Sequence, residues 1–197
     1  MRGVNISPAK TIEKDGWNAS TLELYSHAGT HMDAPYHFGV SNETIDEVNL
    51  NQCMGSAWVI DATSAGDKGL ITLDYISEII QSYEEGDFLI FCTGWSQYFM
   101  DTEKYRNDLP RISEELALWC VENKVGLIGV EPPSVADVNN KEELTNIHRI
   151  LLGGNIVIVE GLTNLENLRG QKVNFMALPL KVKDGDGAPC RAVAVID

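Results

Sequence analysis

The stretch SHAGTHMDAPYHF, Ser26 to Phe38, decides how the rest of the chain is read. It holds His27, His31 and His37, three of the chain's four histidines, with Asp33 among them. His27 and His31 are four apart, a spacing that on a helix puts two imidazoles on one face, as in HExxH zinc sites. Here the residues between them are Ala28, Gly29 and Thr30, and Pro35 disfavours helix at the residue before it. The segment is therefore expected to be a strand that runs into a tight turn and leaves extended. Alternate residues of an extended backbone share a side, so His31 and Asp33 point the same way. Gly29 lets the backbone fold so that His27 converges on them. Imidazole and carboxylate are ligands suited to zinc, manganese and iron. A single histidine reads as a surface or satisfied core residue. Three within eleven positions around an aspartate read as a metal site.

The fourth histidine lies far along the chain. His148 falls in the predicted helix KEELTNIHRILLGG, and Glu160 closes the apolar strand NIVIVE. A carboxylate that ends an otherwise apolar strand points at a cleft or into solvent. One alternative uses part of this set: His31, Asp33 and His148 match the two-histidine, one-carboxylate facial triad of non-haem iron oxygenases. It leaves His27, His37 and Glu160 without a role, and no site for an oxoacid cosubstrate is evident.

Outward from these residues, strand and helix patterns alternate. STLELYS has period two, with Leu22 and Leu24 on one face, and is expected to be a half-buried strand. AWVIDA, DFLIFCTG, GLIGVE, NFMALPLKV and RAVAVID are further strands. TLDYISEIIQSY is expected to be a helix capped by Thr72, and SEELALWCVENK a helix that follows Pro110 and is capped by Ser113. Gly153 or Gly154 ends the helix that carries His148. The alternation predicts an α/β fold with a mixed sheet, one domain over residues 1–197.

Composition narrows the partners. The formal net charge is -14 over 197 residues, which argues against nucleic acid and anionic membrane, since both require a basic face. The longest apolar runs, FLIF and NIVIV, are strand-length and too short to span a bilayer. MRGVNISPAK has no apolar core of signal-peptide length. Cys53, Cys92, Cys120 and Cys190 form no CxxC pair and read as free thiols in a cytoplasmic protein.

HAGTHMDAPYH resembles the HxGTHxDxPxH signature of the metal-dependent cyclase family, which includes bacterial kynurenine formamidase and isatin hydrolase. FCTGWS, VGLIGVEPPSV, HRILLGGNIVIVEGLTNLENL and ALPLKVKDGDGAPCRAVAV resemble further segments of that family, so the likeness covers nearly all of the chain from Trp17 onward. The resemblance implies a mixed, partly barrel-like sheet flanked by helices, and a two-metal hydrolase. It implies that His27, His31 and Asp33 hold one metal, and that Asp33 bridges to a second held with His148 and Glu160. His37 would stand beside them as general acid and base. The implied cofactor is zinc, two ions per chain, with manganese as the alternative.

The implied substrate is an N-formyl aryl amine such as N-formylkynurenine. A cyclic amide, as in isatin ring opening, is the nearest alternative, and a metal-binding interaction protein without catalysis is the reading from another class. Relatives assemble, which implies a homodimer or homotetramer. Two departures from the family pattern stand out: no Pro-Gly-Asp turn precedes the signature, and Glu131 stands where relatives often carry Asp. Trp17, Tyr25, Trp95 and Tyr98 are candidates for an aromatic pocket. The hydroxyls of Thr30 and Thr93 are expected to serve turns.

Overall fold

The computed structural model describes residues 3–196. In chain order the elements are β1 (Val4–Lys10), α1 (Ile12–Asp15), β2 (Ala19–Leu24), β3 (His31–Asp33), β4 (Met54–Asp61) and β5 (Leu70–Ile71). They continue with β6 (Phe88–Cys92), α2 (Thr102–Asn107), β7 (Arg111–Ile112), α3 (Glu114–Glu122) and β8 (Leu127–Val130). The last are α4 (Lys141–Gly153), β9 (Val157–Glu160), β10 (Lys172–Pro179) and β11 (Gly187–Val195). Ser113 caps α3 by accepting from the Leu116 N–H, and α4 ends at Gly154, both as the sequence predicts.

Seven strands close into a barrel in the order β10-β11-β3-β9-β8-β6-β4. The pairs β4–β6, β6–β8 and β8–β9 are parallel, and the rest are antiparallel. The expected mixed, partly barrel-like sheet is thus a fully closed one, which leaves these seven strands without an open edge.

Side-chain alternation sorts the barrel residues into two cores. Met32, Ala57, Val59, Phe88, Ile90, Leu127, Val159, Phe175 and Ala188 come from all seven strands and fill the barrel. Ile60, Leu89, Phe91, Ile128, Val130 and Ile158 face outward and pack with Leu116, Cys120, Ile147 and Leu151 of α3 and α4. His31, Asp33 and Glu160 alternate with Met32 and Val159, so they lie on the outer face, towards the helices.

The opening stretch differs in order from the sequence reading. The turn comes first, over residues 26–30, and β3 follows it. After Pro35 the chain makes a single 3-10 turn, Pro35–Phe38, rather than leaving extended. Gly29 does supply the bend, with φ +66°, a conformation in which most side chains are strained.

Two other expectations are corrected. Residues 72–83 form no α-helix but a 3-10 turn, Leu73–Ile76, then successive turns, and the Thr72 side chain makes no cap bond. The Ser77 hydroxyl donates to the Asp74 carbonyl at 2.7 Å, and Ile79 N–H bonds back only three residues, to Ile76. A serine that bonds locally competes with the α-helical ladder. The second correction concerns STLELYS. It is a strand, β2, but Leu22 and Leu24 are exposed, because β2 pairs only with β1 in a two-stranded ribbon.

Among the described residues no helix is long and apolar enough to cross a membrane. The four cysteines are free thiols, three of them buried.

Candidate metal centre

Strand register assembles the centre. His31 of β3 stands directly opposite Glu160 of β9, while Gly187 of β11 stands opposite Asp33. Helix α4 lays His148 over the same outer face. Gly187 and Gly161 are required by close approach. A Cβ on Gly187 would lie 2.7 Å from His27 Cε1, and one on Gly161 would lie 2.5 Å from the Gly29 carbonyl oxygen. The Thr30 hydroxyl donates to the Gly161 carbonyl at 2.6 Å, tying the histidine turn to the end of β9. Thr30 therefore serves the turn, as the sequence predicts.

The donor atoms converge. His27 Nδ1 lies 2.9 Å from Asp33 Oδ1, and His31 Nε2 lies 3.7 Å from the same oxygen. His31 Nε2 lies 3.2 Å from Glu160 Oε2, and His148 Nε2 lies 3.4 Å from Glu160 Oε1 and 3.6 Å from Asp33 Oδ2. His27, His31 and Asp33 form one trio whose ligand atoms all lie within 4.8 Å of one another; Asp33, His148 and Glu160 form a second. Asp33 belongs to both. All five residues named from the sequence are thus brought together.

Each histidine of the two trios also has its outer nitrogen held. His31 Nδ1 faces the Gly29 carbonyl at 2.9 Å, and His148 Nδ1 faces the Leu144 carbonyl at 2.7 Å. His27 Nε2 instead meets Asp186 Oδ2 at 2.9 Å. Such partners fix the tautomer and aim the inner nitrogen at the centre. The Phe38 ring stacks on His148 with centroids 4.1 Å apart.

Titration follows from burial and charge. Burial pulls the His27 imidazolium down, but Asp33 and Asp186 outweigh it and raise its pKa to about 9. His31 and His148 are likewise depressed by burial and then raised above the ordinary histidine value by Glu160 and Asp33. Burial raises Glu160, yet the two histidines hold its carboxyl well below the usual range. His37 goes the other way: burial lowers it, Asp33 opposes, and His27 and His148 lower it further.

The donor set fits divalent cations. Asp33 is 2% exposed, and neither of its carboxylate oxygens has a hydrogen-bond partner; nor does His31 Nε2. Three imidazoles, at 2.9, 3.7 and 3.6 Å, are the groups that face this buried carboxylate, and without a cation they must carry protons to offset its charge. Three imidazole nitrogens and two carboxylates, in two trios that share Asp33, are the ligand chemistry of zinc and related metals.

His37 stands at the mouth of this cluster. Its ring stacks on His27 with centroids 3.9 Å apart, and it lines a cavity of about 1050 Å³ together with His27, His31, His148 and Glu160. Of the four aromatic candidates, Tyr25 lines the cavity. Trp95 is buried, its indole N–H donating to the Tyr105 carbonyl, and Tyr98 packs against it. Trp17 is exposed beside Lys10 on the far ribbon. The aromatic wall is instead made by Tyr25, Phe38, Phe99 and Tyr105.

Glu131 is fully buried and receives four hydrogen bonds. Its Oε2 accepts from Thr93 N–H, the Thr93 hydroxyl and Trp95 N–H, and its Oε1 accepts from the Ser96 hydroxyl. It locks the turn after β6 that carries Ser96 to the cavity wall. Sequence reading missed Asp186 altogether. The one available signal was KDGDG between two predicted strands, an acidic hairpin tip that ordinarily reads as solvated.

The Cyclase family model matches residues 4–137. A kynurenine formamidase from Erythrobacter litoralis is 30% identical over 177 residues, 89% of this chain and 76% of that one. An isatin hydrolase solved with the product analogue thioisatinate superposes with a TM-score of 0.89 at 23% identity, over 98% of this chain and 81% of that one. A structure described as a predicted metal-dependent hydrolase from Bacillus stearothermophilus is 25% identical, with a TM-score of 0.75 over 97% of this chain and 86% of that one. With its signature histidines converged on a shared aspartate beside the barrel, this chain belongs to the Cyclase family.

Proposed function

We propose that the chain, as one domain over residues 1–197, is a metal-dependent amide hydrolase of the kynurenine formamidase kind. The observation that carries this reading is Asp33, buried and shared by two trios of metal-type donors, with His37 beside it at a cavity. His27, His31 and Asp33 would hold one ion, and Asp33, His148 and Glu160 a second; zinc is the favoured metal and manganese the alternative. Divalent ions so held supply a Lewis acid for a substrate carbonyl and a more acidic water.

The chain's own residues supply the proton chemistry and the fit. The pKa of His37 is lowered, so the ring is neutral at pH 7 and can take a proton as water attacks. It then returns that proton to the amide nitrogen, which leaves poorly unless protonated. Tyr25, Phe38, Phe99 and Tyr105 offer flat apolar faces to an aryl group.

An aryl formamide such as N-formylkynurenine meets these demands. The formamidase relative supports it, and the isatin hydrolase fold match keeps a cyclic amide as the second reading. The exposed apolar ribbon β1–β2 supports a homodimer or homotetramer. The test is to assay N-formylkynurenine, other formanilides and isatin with protein loaded with zinc and, separately, manganese. Turnover of isatin alone moves the assignment to the cyclic amide; metal bound without turnover of either removes the substrate assignment.

A further inference from the structure

We infer that Asp186 is a positioning residue whose one carboxylate oxygen orients the His27 ring by a hydrogen bond and draws the His37 Nδ1–H towards it by charge. Its Oδ2 lies 2.9 Å from His27 Nε2 and 3.4 Å from His37 Nδ1. The two rings are stacked, 3.9 Å between centroids and 29° apart, so one oxygen faces both edges, hydrogen-bonded to His27 and in charge contact with His37. Asp186 sits in the hairpin between β10 and β11, immediately before the Gly187 whose missing side chain makes room for His27. The hairpin is anchored: Ala34 N–H donates to the Asp186 carbonyl at 3.0 Å, and Ile45 N–H to the Gly185 carbonyl at 2.9 Å. The carboxylate is thereby held against the exit of β3.

A neutral imidazole has one N–H and one lone pair, and the partner of the first decides where the second points. With Nε2–H of His27 given to Asp186, the Nδ1 lone pair faces Asp33, 2.9 Å away. With Nδ1–H of His37 turned to the same oxygen, Nε2 becomes its basic nitrogen. His31 and His148 use backbone carbonyls for this purpose. His27 alone uses a side chain, and that side chain also touches the proposed base. Asp186 thus couples the orientation of a metal ligand to that of the acid–base group.

This inference rests on the metal-centre reading above, but its main readouts need no substrate. The full-length, zinc-loaded chain is labelled with ¹⁵N-histidine, and ¹H–¹⁵N correlation spectra report the tautomer of each ring; only four histidines are present. The wild type is expected to show His27 as the Nε2–H form and His37 as the Nδ1–H form. In Asp186→Ala the His37 ring loses that single tautomer, while His27, whose Nδ1 is taken by zinc, keeps its Nε2–H and shows a shifted Nε2–H resonance. Zinc affinity, measured by chelator competition, falls about 10–100-fold, the usual loss when a ligand's outer partner is removed. On any substrate the wild type accepts, kcat falls while KM holds. Asp184→Asn, on the same hairpin, is expected to match the wild type in every reading. An unchanged His37 tautomer in Asp186→Ala, or an unchanged His27 Nε2–H resonance, overturns the shared role. So do losses reproduced by Asp184→Asn, and so does a further zinc ion bound through Asp186, since His27, His37 and Asp186 also lie close enough to hold one. A wild type that binds zinc but hydrolyses nothing sinks the proposed function and leaves this inference to be decided by the spectra and the affinities.

Discussion

His31 and Glu160 face each other across the β3–β9 pair, with Nε2 of the histidine 3.2 Å from Oε2 of the glutamate. The centre is therefore built by sheet register. A slip of one residue would turn His31 and Asp33 into the barrel and Met32 out of it. The barrel's closure holds that register fixed, which lets short strands of three and four residues carry metal-type ligands.

Asp33→Ala should lose both ions, because Asp33 is common to the two trios. His148→Ala should lose only the second ion and keep the one held by His27 and His31. Elemental analysis after dialysis against zinc measures this directly. Two ions retained in Asp33→Ala would show that the aspartate bridges nothing.

His37→Ala should keep its metal and lose most turnover. A general acid–base group contributes about 10²–10⁴-fold to rate. His37 is flanked by the centre but belongs to neither trio built on Asp33. Full activity in this variant, at any pH, would assign the proton transfers to another group.

The legible parts of this molecule were those with local signals. Gly29, His31 and Asp33 announce a bend and an alternating strand within five residues, and the helix around His148 repeats at helical spacing. Asp186 was hidden because its meaning depends on a partner 159 positions away. Phe99 and Tyr105 became cavity wall only through the packing of α2 and the turn before it. The Thr72 helix failed because local side-chain bonding and three-residue turns won over a helical apolar pattern. Leu22 and Leu24 show a further limit: alternation identifies a strand's apolar face but not what covers it.

Proton competition should make metal binding strongly pH-dependent. The pKa of His27 is raised from 6.5 to about 9, so in chelator-treated protein the ring is protonated at pH 7. A metal must displace that proton, so affinity should rise with pH up to about 9, and binding at pH 7 should release protons. Calorimetry in two buffers of different ionisation enthalpy counts them. The sign for stability is opposite in the stripped chain. The contribution of a raised histidine is fully present below pH 6.5 and is lost as pH rises through about 9, so its melting temperature should fall across that window. Metal affinity that is flat from pH 6 to 9 would contradict the protonated cluster.

Glu131 should matter for stability in proportion to the donors it leaves unpaired. Glu131→Ala strands the Thr93 N–H in a buried site, at about 1–3 kcal/mol for the donor left unmet, while the Trp95 N–H keeps the Thr93 hydroxyl as acceptor. Glu131→Gln keeps an acceptor for those groups and loses only the strengthening given by charge, about 1 kcal/mol. Denaturant melts should rank wild type above Gln and Gln above Ala. Equal stability of Ala and Gln would mean the donors find other partners.

The ribbon predicts the assembly. Val4 pairs with Leu24 and Ile6 with Leu22, so these four side chains share one face of β1–β2. They are 52%, 39%, 63% and 58% exposed, respectively. The opposite face, with the pairs Asn5–Glu23 and Ser7–Thr21, is polar. An isolated two-stranded ribbon is marginal in water, and a contiguous apolar face of this kind ordinarily marks an interface. A second copy of the chain would cover it. Light scattering at micromolar concentration should therefore give two or four times the chain mass of 21.7 kDa. Ile6→Asp combined with Leu22→Asp puts two like charges side by side on that face and should shift the mass towards 21.7 kDa. The ribbon makes few contacts with the barrel, so metal content should stay at the wild-type level in that variant. A wild type that runs as a monomer, or a double variant that keeps the assembled mass, would place the interface elsewhere or remove it.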